Sequence, residues 1–263
     1  MNKRPTILIT NDDGIDAQGI RFLIDVMRGL GDIVVVAPDS PQSGMGHAIT
    51  VTSPLRIRKI VEKEGYREYS CSGTPVDCVK LGEQVVLKRK PDLLVSGINH
   101  GSNAAINIVY SGTMAAVIEG CIDRIPSIGF SMNDFSHHLN FEPAREWIKH
   151  IATQVLQNGL KEGICLNVNF PITKKIKGIK VTRQADACWR EEFDSRIDPR
   201  GGDYHWLTGK FVNRDNGSEN DINAMADGYA SVVPVKIDLT AYDQIEALKY
   251  LEQNVQVSEP FKS

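Results

Sequence analysis

The stretch PTILITNDDGIDAQGIRFLIDVMRGLGDIVVVAPDS, residues 5–40, decides the fold. Residues 5–10 form a short apolar run rich in β-branched side chains, the composition of a strand. From Ala17 to Leu30 the apolar positions Ile20, Leu23, Ile24, Met27 and Leu30 recur at helical spacing, which puts one stripe of a helix against a core. DIVVVAP at 32–38 is continuously apolar, as a parallel strand covered on both faces must be. Strand, helix and strand in this order make a βαβ opening.

The same alternation extends along the chain. A Gly/Ser/Pro-rich loop at 38–47 leads to alternating segments at 49–60 and 66–70, read as an antiparallel hairpin added to the sheet. Thr74-Pro75 is an N-cap followed by proline at the first helical position and predicts a helix over 75–87. PDLLVSG at 91–97 is another buried strand, followed by a polar loop at 98–112, a small-residue helix from Thr113 to Cys121 and the strand PSIGFS at 126–131. A helix over 142–157 and the strand ICLNVNF at 164–170 complete the repeat.

This pattern predicts an α/β fold, a Rossmann-like three-layer αβα sandwich around a mostly parallel, doubly wound sheet. Past Phe170 the pattern changes. Strand-like pieces at 177–187 and 228–237 flank a polar, glycine-rich stretch holding Trp189 and Trp206. They are read as a projecting C-terminal hairpin extension, with a terminal helix near 241–253. One domain over 1–263 is expected, with a core at about 1–172 and an appendage and C-terminal arm at about 173–263.

With 41% hydrophobic and 24% charged residues among 263, the chain has the composition of a globular protein. A net charge of −3 provides no basic field for long nucleic acid. The first apolar run stops at Ile9 and meets carboxylates at Asp12, so it is no signal peptide, and no stretch approaches membrane-spanning length. Five cysteines, an odd number without a CxxC pair, disfavour a disulfide framework and a zinc site and point to a reducing cytoplasm.

In open α/β sheets ligands bind beyond the carboxyl ends of the strands. The loops that converge there carry Asn11-Asp12-Asp13-Gly14, then Ser40 to Gly46 with Ser43, then Gly97-Ile98-Asn99 and on to Ser111-Gly112-Thr113. Adjacent carboxylates repel unless a cation sits between them, so Asp12 and Asp13 are candidate ligands of a hard divalent ion. Ser43 and Asn99 offer neutral oxygens of the kind that magnesium or manganese accepts beside water. Ser111-Gly112-Thr113, directly before a helix, presents hydroxyls and free amides to an anion such as phosphate. The lysine-bearing P-loop pattern is absent.

The segments ILITNDDGIDAQGI at 7–20, VVAPDSPQSGMGHAIT at 35–50, GTPVDCVKLG at 73–82 and PDLLVSGINHGSNAAINIVYSGTMAAVIEG at 91–120 resemble the SurE family, the survival-protein-E nucleotidases. The resemblance implies a phosphatase whose metal ligands fall on Asp12, Asp13, Ser43 and Asn99, one Mg2+ or Mn2+ per subunit. Ser111, Gly112 and Thr113 would lie near the phosphate, with Asn11 and Asn103 in the same pocket. It implies hydrolysis of nucleoside 5′- and 3′-monophosphates, short polyphosphate in some members, and dimers or tetramers that exchange C-terminal arms. Ala104, Asn107 and Met114-Ala115 depart from the family pattern, and beyond residue 170 the likeness is confined to GYASVVPVKIDLT at 228–240.

The expected chemistry is in-line attack by a metal-activated water, with Asp12 or Asp13 accepting a proton and Ser111 and Thr113 stabilising phosphate oxygens. Nucleophilic attack by an aspartate is the other route. His47 and His100 lie in loops at the mouth, where either can protonate the leaving group; His137, His138, His150 and His205 have no such context. Trp189, Trp206 and Tyr204 either stack on a base or pack. A phospho-accepting receiver module would need a further aspartate where PDLLVSGIN ends in serine and asparagine, and a dinucleotide-binding oxidoreductase would need GxGxxG after Ile9. A non-catalytic nucleotide-binding protein is the third reading.

Overall fold

A computed structural model of the chain describes residues 4–134, 136 and 139–252. The opening unit is β1 (Thr6–Thr10), α1 (Gln18–Arg28) and β2 (Asp32–Pro38). A hairpin of β3 (Ile57–Lys63) and β4 (Tyr66–Cys71) follows, then α2 (Pro75–Leu81), β5 (Leu93–His100), α3 (Gly112–Ile122), β6 (Ser127–Met132), α4 (Arg145–Asn158) and β7 (Ile164–Phe170). The remainder comprises β8 (Ile179–Val181), β9 (Ala187–Arg190), β10 (Phe193–Ile197), β11 (Asp203–Leu207), β12 (Lys210–Asn213), α5 (Asp221–Ala226) and β13 (Ala230–Lys236).

Nine strands form the central sheet in the order β3-β4-β2-β1-β5-β6-β7-β13-β8. The pairs from β4 through β7 are parallel, whereas β3 against β4 and β13 against β7 are antiparallel. Side chains alternate across each strand, and here both faces are covered. Ile7 and Ile9 of β1 face a core shared with α1 and α4, while Leu8 between them faces α2 and α3. That double burial is why these strands read as unbroken apolar runs.

Thr74 caps α2 through a reciprocal pair, accepting from the Asp77 amide at 3.2 Å while Asp77 accepts from the Thr74 amide at 2.9 Å. The helix expected over 75–87 is α-helical only to Leu81 and then widens into a π-helical turn over Gly82–Leu87. The hairpin begins at Ile57, so residues 49–56 lie outside the strand.

The boundary expected near residue 172 lies elsewhere. β13, from the expected appendage, pairs with β7 from Ser231 to Lys236, and β8 pairs with β13, so the sheet continues to its ninth strand. What projects is smaller: the β10–β11 hairpin and the β9–β12 pair. The terminal helix is also corrected. Residues 242–252 form 3-10 turns at Tyr242–Gln244 and Glu246–Glu252 without a buried side chain, and residue 253 lies outside the described residues. An apolar stripe stabilises a helix only against a partner surface, and this segment packs on none of the described core. Among the described residues, no helix is long and apolar enough to cross a membrane.

Candidate active site

The strand order reverses at β1, whose neighbours β2 and β5 lie on opposite sides, and the crevice between the carboxyl ends of β1 and β5 is the switch point of the sheet. β1 delivers Asn11, Asp12 and Asp13 to it. β5 runs through Asn99 to His100, further than the sequence pattern indicated, and so carries Asn99 on a strand end rather than a free loop. The Asp12 carbonyl accepts from the Gln42 amide at 2.7 Å and the Pro38 carbonyl accepts from the Ile15 amide at 2.8 Å, which knits the Ser43 loop to the Asp12 turn.

A cavity of about 600 Å³ opens here, lined by Asp12, Asp13, Ser43, Asn99, Asn103 and Ser111 among others. Asp12 is only 4% exposed. Its Oδ1 accepts from the Thr113 hydroxyl, and Gly112 lets α3 approach it: a Cβ at Gly112 would stand 2.8 Å from the Asp12 Cβ. Burial pushes the Asp12 carboxyl up to about 6; the Thr113 hydroxyl opposes that shift and the Asp13 charge adds to it.

Asp13 is more open. Its Oδ2 lies 3.0 Å from Nδ1 of His100, and because an ionised carboxylate only accepts, Nδ1 carries the proton. That bond raises the imidazole above its usual value although burial opposes it. The ring is held edge-on to Phe141, with centroids 5.8 Å apart. Asn99 donates its amide nitrogen to the Gly101 carbonyl at 2.9 Å, which leaves the side-chain oxygen for a ligand.

Ser111 is the N-cap of α3 and its Oγ accepts from the Met114 amide at 3.0 Å. The Gly112 and Thr113 amides at the first two helical positions have no intrahelical acceptor, and with the helix dipole they suit an anion, although both residues are buried and only Ser111 of this segment lines the cavity. The Thr113 hydroxyl is spent on Asp12, so this residue offers its backbone rather than its side chain. Asn11 is fully buried, donates to the Gly14 carbonyl at 2.8 Å and stands behind the cavity wall; its Oδ1 has no hydrogen-bond partner among the described residues. Asn103 reaches the wall but donates its side-chain nitrogen to Ser131 Oγ at 2.8 Å.

Two carboxylates, one hydroxyl and one amide oxygen are a hard donor set, and among the described residues no cluster of three or more His, Cys, Asp or Glu competes with it. The buried Asp12 beside Asp13 is an anionic pair that a divalent cation would neutralise. Magnesium or manganese fits, because each keeps water in its remaining positions.

The two mouth histidines separate. His100 lines the cavity, whereas His47 Nε2 lies 3.0 Å from the buried Glu119 and faces a second, largely apolar cavity of about 750 Å³. His137 and His138 lie outside the described residues. Of the aromatics in the C-terminal half, Trp189 lines the Asp12 cavity, while Trp206 and Tyr204 are exposed on β11.

The residues that support the 101–105 loop were not singled out in the sequence. Asn169 Oδ1 accepts from the Asn103 amide at 2.8 Å and from Ser102 Oγ at 3.2 Å; Asn169 donates to Asn167 at 2.9 Å, and Asn167 donates to the Asn103 carbonyl at 2.8 Å. Asp221, fully buried, accepts from the Ala105 and Ala185 amides at 2.7 and 3.0 Å. The available signal was ICLNVNF itself, where two asparagines interrupt a buried apolar strand.

The family model described as "Survival protein SurE" matches residues 7–191. A protein from Christiangramia forsetii named 5′-nucleotidase SurE is 60% identical over 250 residues, 94% of this chain and 96% of that protein. One of the same name from Flavobacterium psychrophilum is 57% identical over 254 residues, covering 95% and 99%. The crystal structure of the SurE protein from Aquifex aeolicus superposes with a TM-score of 0.83 at 42% identity, over 94% of this chain and all of that one.

Proposed function

The chain belongs to the SurE family, and from that premise we propose that it is a phosphoric monoester hydrolase that releases phosphate from nucleoside 5′-monophosphates. The observation that carries the reading is the carboxylate of Asp12, buried beside Asp13 in a cavity whose wall also includes Ser111, the N-cap of α3. The carboxylates attract a cation and the N-terminus of α3 attracts an anion, the pair of requirements that a phosphate monoester and a divalent ion bring together.

Asp12, Asp13, Ser43 and Asn99 would hold one Mg2+ or Mn2+ per subunit. When bound, that ion supplies Lewis-acid charge at a phosphate oxygen and lowers the pKa of a coordinated water. The remaining work falls to the protein. The Gly112 and Thr113 amides and the Ser111 hydroxyl bind the phosphate oxygens and fix the phosphorus. Asp13, the more open carboxylate, is placed to take a proton from attacking water, while Asp12 is held still by Thr113. His100 lines the cavity and is able to give a proton to the leaving ribose oxygen. We infer 3′-monophosphates and short polyphosphate as secondary substrates of the same site.

We place the enzyme in the cytoplasm, which the five free thiols favour. Self-association through the C-terminal arm, to a dimer or tetramer, is supported by Tyr242, Ile245, Leu248, Tyr250 and Leu251, all exposed on residues 242–252.

The experiment is phosphate release from a panel of nucleoside 5′- and 3′-monophosphates with Mg2+, Mn2+ or chelator, comparing the native chain with Asp12→Asn, alongside calorimetric titration of Mn2+. Chelator-sensitive turnover and Mn2+ binding, both lost in the variant, are expected. Turnover that survives chelation or the substitution would overturn the metal-dependent reading.

A further inference from the structure

One part of the Asp12 cavity's lining comes from the projecting β-structure and is not among the residues proposed to hold the phosphate. It is formed by Trp189, Glu192, Leu207, Thr208 and Gly209, with Tyr110 beside it. We propose that this wall is a nucleobase subsite that selects guanine, with Trp189 as the stacking face and Glu192 as the hydrogen-bond acceptor. The proposal rests on the nucleotidase reading above and names the part of the substrate that reading leaves open.

Trp189 is fixed at two places. Its indole Nε1 donates to Asn107 Oδ1 at 2.8 Å, and Phe211 packs against it with ring centroids 5.3 Å apart at 59°. The indole N–H is therefore satisfied and the ring is held by both contacts, while the side chain remains only partly buried and lines the cavity. A rigid aromatic surface offered to a ligand site costs little entropy to use, and every base has a π-face to lay on it. Asn107, one of the departures from the family pattern, is the residue that orients it.

Glu192 stands close by. A Cβ built at Gly209 would lie 3.4 Å from the Glu192 Cα and 3.4 Å from the Trp189 ring, so one glycine separates the carboxylate-bearing residue from the stacking face. The Thr208 amide donates to the Glu192 carbonyl at 2.7 Å and holds this corner together. Among the described residues the Glu192 carboxylate forms no ion pair, although its neighbour Glu191 is paired with Lys210 at 2.5 Å.

Charge sets the orientation. The phosphate is drawn to the proposed cation site and the N-terminus of α3, and a carboxylate on the wall supplied by the projecting β-structure repels it. An ionised carboxylate only accepts hydrogen bonds. Guanine alone among the common bases presents a ring N–H and an amino group side by side, two donors that match the two oxygens. Adenine and cytosine present a ring acceptor there, and uracil flanks its ring N–H with carbonyls. A volume of about 600 Å³ lies within the range of roughly 300–1,000 Å³ typical of small-ligand sites, so phosphate, ribose and base fit in one cavity.

The test compares kcat/KM for guanosine, inosine and adenosine 5′-monophosphates and for ribose 5-phosphate, which has no base, in the Mn2+-loaded native protein, Trp189→Leu, Trp189→Phe and Glu192→Gln. The native enzyme is expected to prefer the guanine nucleotide over the adenine nucleotide by about tenfold or more. Trp189→Leu is expected to lower the ratio of guanosine monophosphate to ribose 5-phosphate by about tenfold, with Trp189→Phe restoring much of it. Glu192→Gln is expected to erase the guanine-over-adenine preference. Equal losses for nucleotide and ribose 5-phosphate in Trp189→Leu, or an unchanged base preference in Glu192→Gln, would overturn the subsite. Quenching of tryptophan fluorescence by guanosine supplies an independent reading without turnover. If no phosphomonoester is hydrolysed yet guanosine quenches the native protein and not Trp189→Leu, the nucleotidase reading falls and the subsite stands; absence of quenching in the native protein overturns the subsite.

Discussion

His100 Nδ1 lies 3.0 Å from Asp13 Oδ2, so the imidazole N–H occupies one oxygen of the more open carboxylate and leaves the other for the cavity. A partner of this kind orients a ligand and restricts it to one mode of coordination. Replacing His100 with Phe keeps a ring beside Phe141 but removes the donor. The Mn2+ dissociation constant, read by calorimetry, is expected to rise about tenfold to a hundredfold. Unchanged affinity would mean that the backbone alone sets the Asp13 geometry.

Burial works against the Asp12 carboxylate. A carboxyl pushed up to about 6 by burial is one whose ionised form the metal-free fold disfavours at neutral pH. Asp12→Asn keeps an acceptor for the Thr113 hydroxyl and removes the buried charge. The metal-free variant is expected to be more stable than the native chain by about 2 kcal/mol at pH 7, a rise of several degrees in Tm. A lower Tm in the variant would show that the ionised carboxylate contributes more through its hydrogen bonds than it costs through burial.

Gly19 sits where α1 crosses the end of β5, and a Cβ there would stand 2.0 Å from the Ile98 carbonyl oxygen. Backbone cannot yield as a side chain can. Gly19→Ala is therefore expected to destabilise the protein by about 3 kcal/mol or more and to displace Asn99, the next residue along β5. Gly29→Ala is the control, since its nearest contact is 3.8 Å away and its φ of −70° suits any residue. Urea unfolding of the two variants distinguishes a steric requirement from a general cost of losing glycine.

Continuous burial made the central strands legible: Ile7, Leu8 and Ile9 are apolar on both faces because helices cover both faces. The placement of β13 was not, because its partner β7 ends sixty residues earlier and only tertiary register joins Ser231 to Asn169. The same limit applies within the site. Asp12 and Asp13 announce themselves as neighbours in sequence, but the bond from His100 to Asp13 spans 87 residues and that from Thr113 to Asp12 spans 101. Thr113 reads as a phosphate contact from its place at a helix start, and only the close approach of Gly112 to Asp12 shows where its hydroxyl goes. Composition carries no trace of such pairings.

The turn bearing Asp12 and Asp13 is clamped from below by Arg21, which donates Nε to the Ile15 carbonyl at 2.9 Å and Nη2 to Glu68 Oε1 at 2.6 Å. Glu68 also accepts from the Tyr66 hydroxyl. Burial alone would raise the Glu68 carboxyl, but Arg21 and Tyr66 outweigh it and hold the group below its usual range. A depressed carboxyl contributes stability that is fully present above its unfolded value of about 4.3 and is lost as pH falls through the folded value. Native and Glu68→Gln proteins are therefore expected to differ by about 1–3 kcal/mol near neutral pH. That gap should stay level down to about pH 5 and close below about pH 4, where the native carboxyl takes up its proton and comes to resemble the amide. Chemical denaturation across pH 3 to 8 reads it directly. A gap that widens on acidification would mean that the buried carboxyl prefers to be neutral and that Arg21 is held by the Ile15 carbonyl alone.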